Sequence, residues 1–426
     1  MKLLRKSFLI FITNLFVFIT LNAQSLNKAV YKPRYHDPVL EQMKEQREKD
    51  IAREDSLTAA IRTQQEARRN IDKKDELSLQ SDLSGVKKPA SLNVFKTIDH
   101  FPPIAQYQSG MCWCFCGTSF LESEVMRLTG QKIKISELHT IYYEYLEKAA
   151  RFIRERGDSF IGEGGEVNGV LRIMKKYGAV PAEVYTGLPH GGKHDHTHLF
   201  TEIRNYLEYC KTNNYWDEEI ALNSIKLILN KYLGEPPQSF IYEGQEYTPV
   251  TFLNNVLKLQ LDDYCDVMST TAVPFYIRAE FKVEDNWWHD SSYINIPLAE
   301  WYKFLKKAIT GGYSLAIGGD VSEPGYLGFE DVAFIPDFDI PFKYINQDSR
   351  EFRIYNKTTT DDHGLHLVGY TRVDDRDWFL VKDSARSSRW GKYEGYYFYR
   401  EDYIKLKMLT YTVHQDVLKE ILSQIK

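Results

Sequence analysis

The segment Gln106-Tyr107-Gln108-Ser109-Gly110-Met111-Cys112-Trp113-Cys114-Phe115-Cys116 constrains this chain more than any other. It reads as a glutamine, a short glycine turn, a cysteine and the start of an apolar helix. A helix N-terminus favours negative charge, so a cysteine in its first turn is poised to act as a thiolate. Gln106 stands six residues upstream of Cys112. That spacing lets its side-chain amide reach the same cavity, where it would join the Cys112 backbone N–H in binding a developing oxyanion. Taken alone, a cysteine in an apolar helix start reads as buried and inert. The C-terminal half of the chain changes that balance.

A cysteine nucleophile needs a base, and the base needs an orienting partner. The run Asp361-Asp362-His363-Gly364-Leu365-His366-Leu367-Val368-Gly369-Tyr370 places His363 at a strand entrance. Trp378 to Val381 reads as the neighbouring strand, joined through the polar turn Asp374-Asp375-Arg376-Asp377. Antiparallel pairing would return Asp383 to the side of His363, as an acceptor for the imidazole N–H. His366, three positions on, should face the other way, so that only His363 lines a cleft.

The five cysteines are an odd set, which reads as a reactive thiol plus buried cysteines rather than a disulfide framework. Cys114 should lie on the opposite helix face from Cys112 and Cys116, which argues against a metal site there. His190, His194, His196 and His198 read as a polar loop and helix cap rather than a metal site. No metal site is expected from either cluster. The net charge of -5 suggests no nucleic-acid binding, and 43% hydrophobic residues suffice for a sizeable core.

Three parts are expected along the chain. Lys2, Arg5 and Lys6 precede an apolar run, Phe8 to Leu21, with Ala23 and Gln24 behind it. Residues 1–23 thus read as an export signal cleaved after Ala23, giving a periplasmic or secreted protein. Residues 24–90 form a charged, Gln-rich helical or disordered arm ending in a linker, Ser81 to Pro89. The body, 91–426, carries helices predicted over Cys112–Thr129, Glu137–Arg154 (capped by Ser136) and Val167–Tyr177 (ended by an αL glycine, Gly178). Glu122 and Glu124 are expected to face solvent or partners. A helical insertion spans about 185–290, and strand signals dominate from Tyr313 onward. No other run is long enough to span a bilayer.

These motifs, in this order, resemble the papain superfamily of cysteine peptidases, and within it the bleomycin hydrolase and aminopeptidase C branch. Gln106 to Phe115 is similar to the family's Gln-x-x-x-Gly-x-Cys-Trp-x-Phe block, and Asp362-His363 through Tyr370 to its histidine strand. Phe379 to Ser384, Glu394-Gly395-Tyr396 and the segment Gly164-Gly165 to Pro181 also resemble their counterparts. The resemblance implies an α+β, papain-like fold. A helical domain would carry Cys112, and an antiparallel β half-barrel would carry His363 and Asp383. It implies Cys112 as nucleophile, His363 as general base and then acid, Asp383 as its orienting partner and Gln106 in the oxyanion hole. Peptides would be the substrates, no metal or organic cofactor would be required, aminopeptidase action would be the favoured mode, and a homo-hexamer the assembly. An endopeptidase with an open cleft and a catalytically weak peptide-binding protein are the alternatives. Three departures stand out. Asp383 replaces the usual Asn, and Ala385 stands where a tryptophan shields the His–Asn bond unless Trp390 or another ring substitutes. The C-terminal arm on which the family's aminopeptidase specificity depends is expected to be shortened.

Overall fold

The computed structural model describes residues 29–74 and 76–425. The export signal expected over 1–23 lies outside them. The chain divides into two units, one ending at Leu77 and one beginning at Ser78.

The described part of the first unit is dominated by one helix, Pro38–Lys74. The Asp37 carboxylate starts it, accepting from Val39 N at 2.9 Å and Leu40 N at 3.2 Å. Its apolar residues, Leu40, Met43, Ile51, Leu57, Ile61 and Ile71, are all exposed. They are too sparse to form a stripe, so the helix is solvated along its length.

In the second unit a helical layer packs on a large sheet. Helices Cys112–Thr129, Glu137–Arg154 and Val167–Tyr177 begin and end as their sequence signals predict. Ser136 Oγ accepts from His139 N at 3.2 Å. Gly178 has φ 74° but ψ -162°, so it departs from the αL cap expected there. A Cβ at Gly178 would also come within 2.2 Å of the Pro249 backbone, a second demand for glycine.

Glu122 and Glu124 are buried, contrary to the expectation that they face solvent. The Cys112 helix runs through the core, and cations reach in to meet both. Lys134 Nζ donates to Glu122 at 2.6 Å, and Arg127 Nη2 to Glu124 at 2.6 Å. Tyr264 OH adds a third donor to Glu124 at 3.3 Å. Pairing of this kind offsets the cost of burying a carboxylate.

Within the 185–290 stretch, helices Thr197–Thr212 and Glu218–Leu233 are followed by a hairpin, Phe240–Tyr242 with Gln245–Tyr247. Helical turns persist to Leu257 and, briefly, over Leu261–Asp263. Tyr264–Met268 then enters the main sheet as an interior strand.

The sheet's central order is Tyr264–Met268, Met408–His414, Leu315–Gly319, His363–Val373, Arg376–Lys382 and Tyr396–Arg400. These six are antiparallel to their neighbours. Parallel pairing appears toward the margins, where Tyr293–Asn295 meets Tyr264–Met268 and Val332–Ala333 meets Tyr396–Arg400. Among the described residues the strand path stays open, a mixed sheet rather than a closed barrel. One face buries Trp301, Phe304, Ile317, Phe379 and Tyr397. A second core, including Trp113, Phe120 and Ile141, fills the helical layer.

Candidate active site

Cys112 is the first residue of its helix, and the Met111 carbonyl accepts from Cys114 N and Phe115 N, both at 3.0 Å. Met111, Trp113 and Cys114 are buried, whereas Cys112 stays partly open. The turn before it is strapped by Glu163, whose carboxylate accepts from Gly110 N at 2.8 Å and whose carbonyl accepts from Trp113 Nε1 at 3.1 Å. All five cysteines are free. Cys114 donates to the Glu137 carbonyl at 3.4 Å and Cys116 to the Leu365 carbonyl at 2.8 Å. Burial pushes both of these thiols well up, Cys114 with help from the Glu137 charge and Cys116 from that of Cys112. They are inert core cysteines.

His363 opens the long strand His363–Val373. Its successor, Gly364, lies against the helix start, where a Cβ would stand 3.0 Å from Trp113 Cα and 3.3 Å from Trp113 N. Glycine therefore lets the histidine strand lie directly on the cysteine helix. The following hairpin turns at Asp374 and Asp375, with φ 51° and 61°. Two left-handed residues make the tight turn that matches strand twist. The resulting register pairs His366 with Lys382 and leaves Asp383 just past the strand end.

Asp383 Oδ1 lies 2.7 Å from His363 Nε2. With Nε2 committed to the carboxylate, Nδ1 is left free for Cys112, which lines the same cavity as His363. Burial works against the imidazolium. The charges of Asp383 and Cys112 and the hydrogen bonds from both outweigh it and hold His363 well above its ordinary value. Burial likewise opposes ionisation of Asp383, but the His363 charge and hydrogen bonds from His363, Ala385 N and Tyr326 OH keep it below the usual carboxylate value. The Ala385 and Tyr326 bonds measure 2.7 and 2.8 Å.

Tyr326 carries no sequence signal that marks it, yet it supplies the ring that Ala385 cannot. It stacks on Tyr397 at 4.7 Å, and its hydroxyl reaches Asp383. Trp390 does not take this place, because it is largely exposed and stacks on Phe329.

Gln106 is buried and doubly anchored. Ser384 Oγ donates to its Oε1 at 2.6 Å, and its Nε2 donates to the Ser109 carbonyl at 2.7 Å. Gln106 N also donates to the Ser384 carbonyl at 2.8 Å. The cysteine loop is thereby tied to the residue following Asp383. One Nε2–H remains for another acceptor.

His366 faces away from this cavity, with Nδ1 2.8 Å from Ser119 Oγ. The histidine-rich loop leads into helix Thr197–Thr212 with His196 at the N-cap position, as expected of a helix cap, and it also braces the cysteine loop. Gln108 N donates to the His194 carbonyl and His196 N to the Gln108 carbonyl, each at 3.0 Å. His196 is buried against Tyr145, while His190 and His198 are exposed.

A half-open thiol thus shares a cavity with an imidazole, and the imidazole is held by a buried, triply bonded carboxylate. This arrangement suits nucleophilic acyl transfer.

Comparison with known proteins agrees. Aminopeptidase G of Lactobacillus delbrueckii subsp. lactis is 23% identical over 375 residues, covering 75% of this chain and 83% of that protein. Aminopeptidase C of Lactococcus lactis subsp. cremoris is 23% identical over 364 residues, covering 75% and 82%. The crystal structure of PepW from Lactobacillus rhamnosis shares the fold, with a TM-score of 0.64 at 18% identity, covering 81% of this chain and 86% of that one. The Peptidase C1-like family model matches residues 60–425. The chain belongs to the Peptidase C1-like family and is a cysteine peptidase of papain-like fold, in the bleomycin hydrolase and aminopeptidase C branch.

Proposed function

We propose that this chain is an aminopeptidase that works through Cys112, His363, Asp383 and Gln106. The observation that carries the roles is that Cys112, at a helix start, and His363 line one cavity, with His363 bonded to Asp383. The Cys112 thiolate attacks the carbonyl carbon of the scissile bond. Its oxyanion is held by the Cys112 N–H and the remaining Gln106 amide N–H. The His363 imidazolium gives its proton to the leaving amine, and a thioester remains. Neutral His363 then takes a proton from water, whose oxygen attacks the thioester. Collapse releases the acid and restores thiolate and imidazolium. Asp383 stays ionised, fixes the imidazole ring and stabilises its charge.

Action at the amino end is supported by the names of the two relatives, aminopeptidases G and C. The test compares free-amino aminoacyl substrates with N-acetylated ones, with Cys112→Ala as control. Turnover restricted to free-amino substrates is expected. Efficient cleavage of blocked peptides would replace this reading with an endopeptidase, and no Cys112-dependent turnover would overturn it. The charged start and apolar run before Gln24 support export, for which the mature N-terminus should be Gln24.

A further inference from the structure

The cavity over Cys112 and His363 is also lined by Glu166, Asp285, Asp361 and Asp362. Among the described residues, none of the four is in an ion pair with a lysine or arginine. Lys148 attracts Asp285, but its ammonium is occupied by the Gly162 carbonyl at 2.7 Å and the Gly164 carbonyl. The other cation facing the group is His363, already committed to Asp383, while Asp320 acts on Asp362 and Glu284 and Glu144 on Asp285 as further negative charges.

Glu166 is the most informative member. It is 5% exposed, Tyr293 OH donates to its Oε2 at 3.2 Å, and its Oε1 has no hydrogen-bond partner. Asp361 lies within hydrogen-bonding reach of it. Asp362 Oδ1 accepts only the Val321 N–H, at 3.1 Å. A Cβ at Gly164 would fall 2.3 Å from the Asp285 carboxylate, so glycine is what lets that carboxylate approach the main chain. Gathering carboxylates with no cation is costly. Burial and then mutual repulsion push Glu166 well up, and burial first of all pushes Asp361 to about 7, while Asp362 stays exposed. A bound cation would relieve that repulsion.

We propose that Glu166 and Asp361, flanked by Asp285 and Asp362, form a subsite that binds an ammonium group of the substrate beside the scissile bond. The proposal rests on the peptidase reading of Cys112. Two sources supply such a group, the α-ammonium of a free N-terminus and the side chain of a lysine. A cation favours the ionised carboxylates, so its binding should strengthen as pH rises through about 7.

The test measures binding by calorimetry in Cys112→Ala protein, which separates it from turnover. The probes are Leu-Gly amide with a free amine, its N-acetyl form, and N-acetyl-Lys-Gly amide. At least about tenfold tighter binding of one ammonium-bearing probe over N-acetyl-Leu-Gly amide is expected, as for a charge-assisted contact. Which probe gains identifies the source. Glu166→Gln and Asp361→Asn should each remove most of that preference. Asp361 is the less buried of the two, so its variant guards against a Glu166 variant that fails to fold. A preference unchanged in both folded variants, or absent from the parent, would overturn the subsite. Failure of the peptidase reading shows separately, as absent Cys112-dependent hydrolysis.

Discussion

The hydroxyl of Tyr326 donates to Asp383 Oδ2 at 2.8 Å, while the other oxygen of that carboxylate meets His363. A buried carboxylate stays ionised only if its lone pairs are filled. Tyr326 therefore acts on His363 through Asp383. Tyr326→Phe keeps the stack on Tyr397 and removes one donor. We expect kcat/KM to fall about tenfold, from the ~1–3 kcal/mol that an unmet buried acceptor costs. Steady-state kinetics beside a melting curve checks this, and an unchanged kcat/KM would remove Tyr326 from the account.

Asp383→Asn bears on pH dependence. The negative charge of Asp383 is the main influence raising His363 against burial. Asparagine keeps an acceptor and loses the charge, so His363 gives up its proton at lower pH. The alkaline limb of the kcat/KM profile should move toward lower pH relative to wild type. A limb that stays in place, or moves upward, would show that the charge does not set it.

Gly364→Ala tests how the two halves of the site meet. The new Cβ would press on Trp113 Cα at 3.0 Å, with no flexible side-chain end to yield. A cost of about 1–3 kcal/mol is expected, as for other overpacked cores. The rate should fall further than stability does, because His363 is carried away from Cys112. Melting temperature and kcat measured together check this.

Glu122→Ala separates scaffold from site. It leaves Lys134 without one of its carboxylate partners in a largely buried position. Breaking a buried pair is expected to cost about 3 kcal/mol. Denaturant unfolding should show that loss, with a much smaller change in KM.

Much of the site was legible in the sequence because its chemistry depends on short-range order. Cys112 at a helix start needs only a turn and an apolar run, and Asp383 follows His363 through one hairpin whose turn residues are unmistakable. The helix limits at Thr129, Arg154 and Tyr177 follow from local caps. What was not legible is non-local. Glu122 and Glu124 look like surface residues until Lys134, Arg127 and Tyr264 are brought to them. Tyr326 has no motif, and its role exists only because two strands bring it to Asp383. The strand Tyr264–Met268 sits in a helical-looking stretch, and its place is decided by pairing with Met408–His414 at the far end of the chain.

The central claim is that Cys112 forms the covalent intermediate. The most direct measurement is rapid quenching with an aminoacyl ester substrate, followed by intact mass and peptide mapping. An acyl adduct on the peptide containing Cys112, absent in Cys112→Ala, is the expected result. Hydrolysis without any adduct there, or an adduct on another residue, would contradict it.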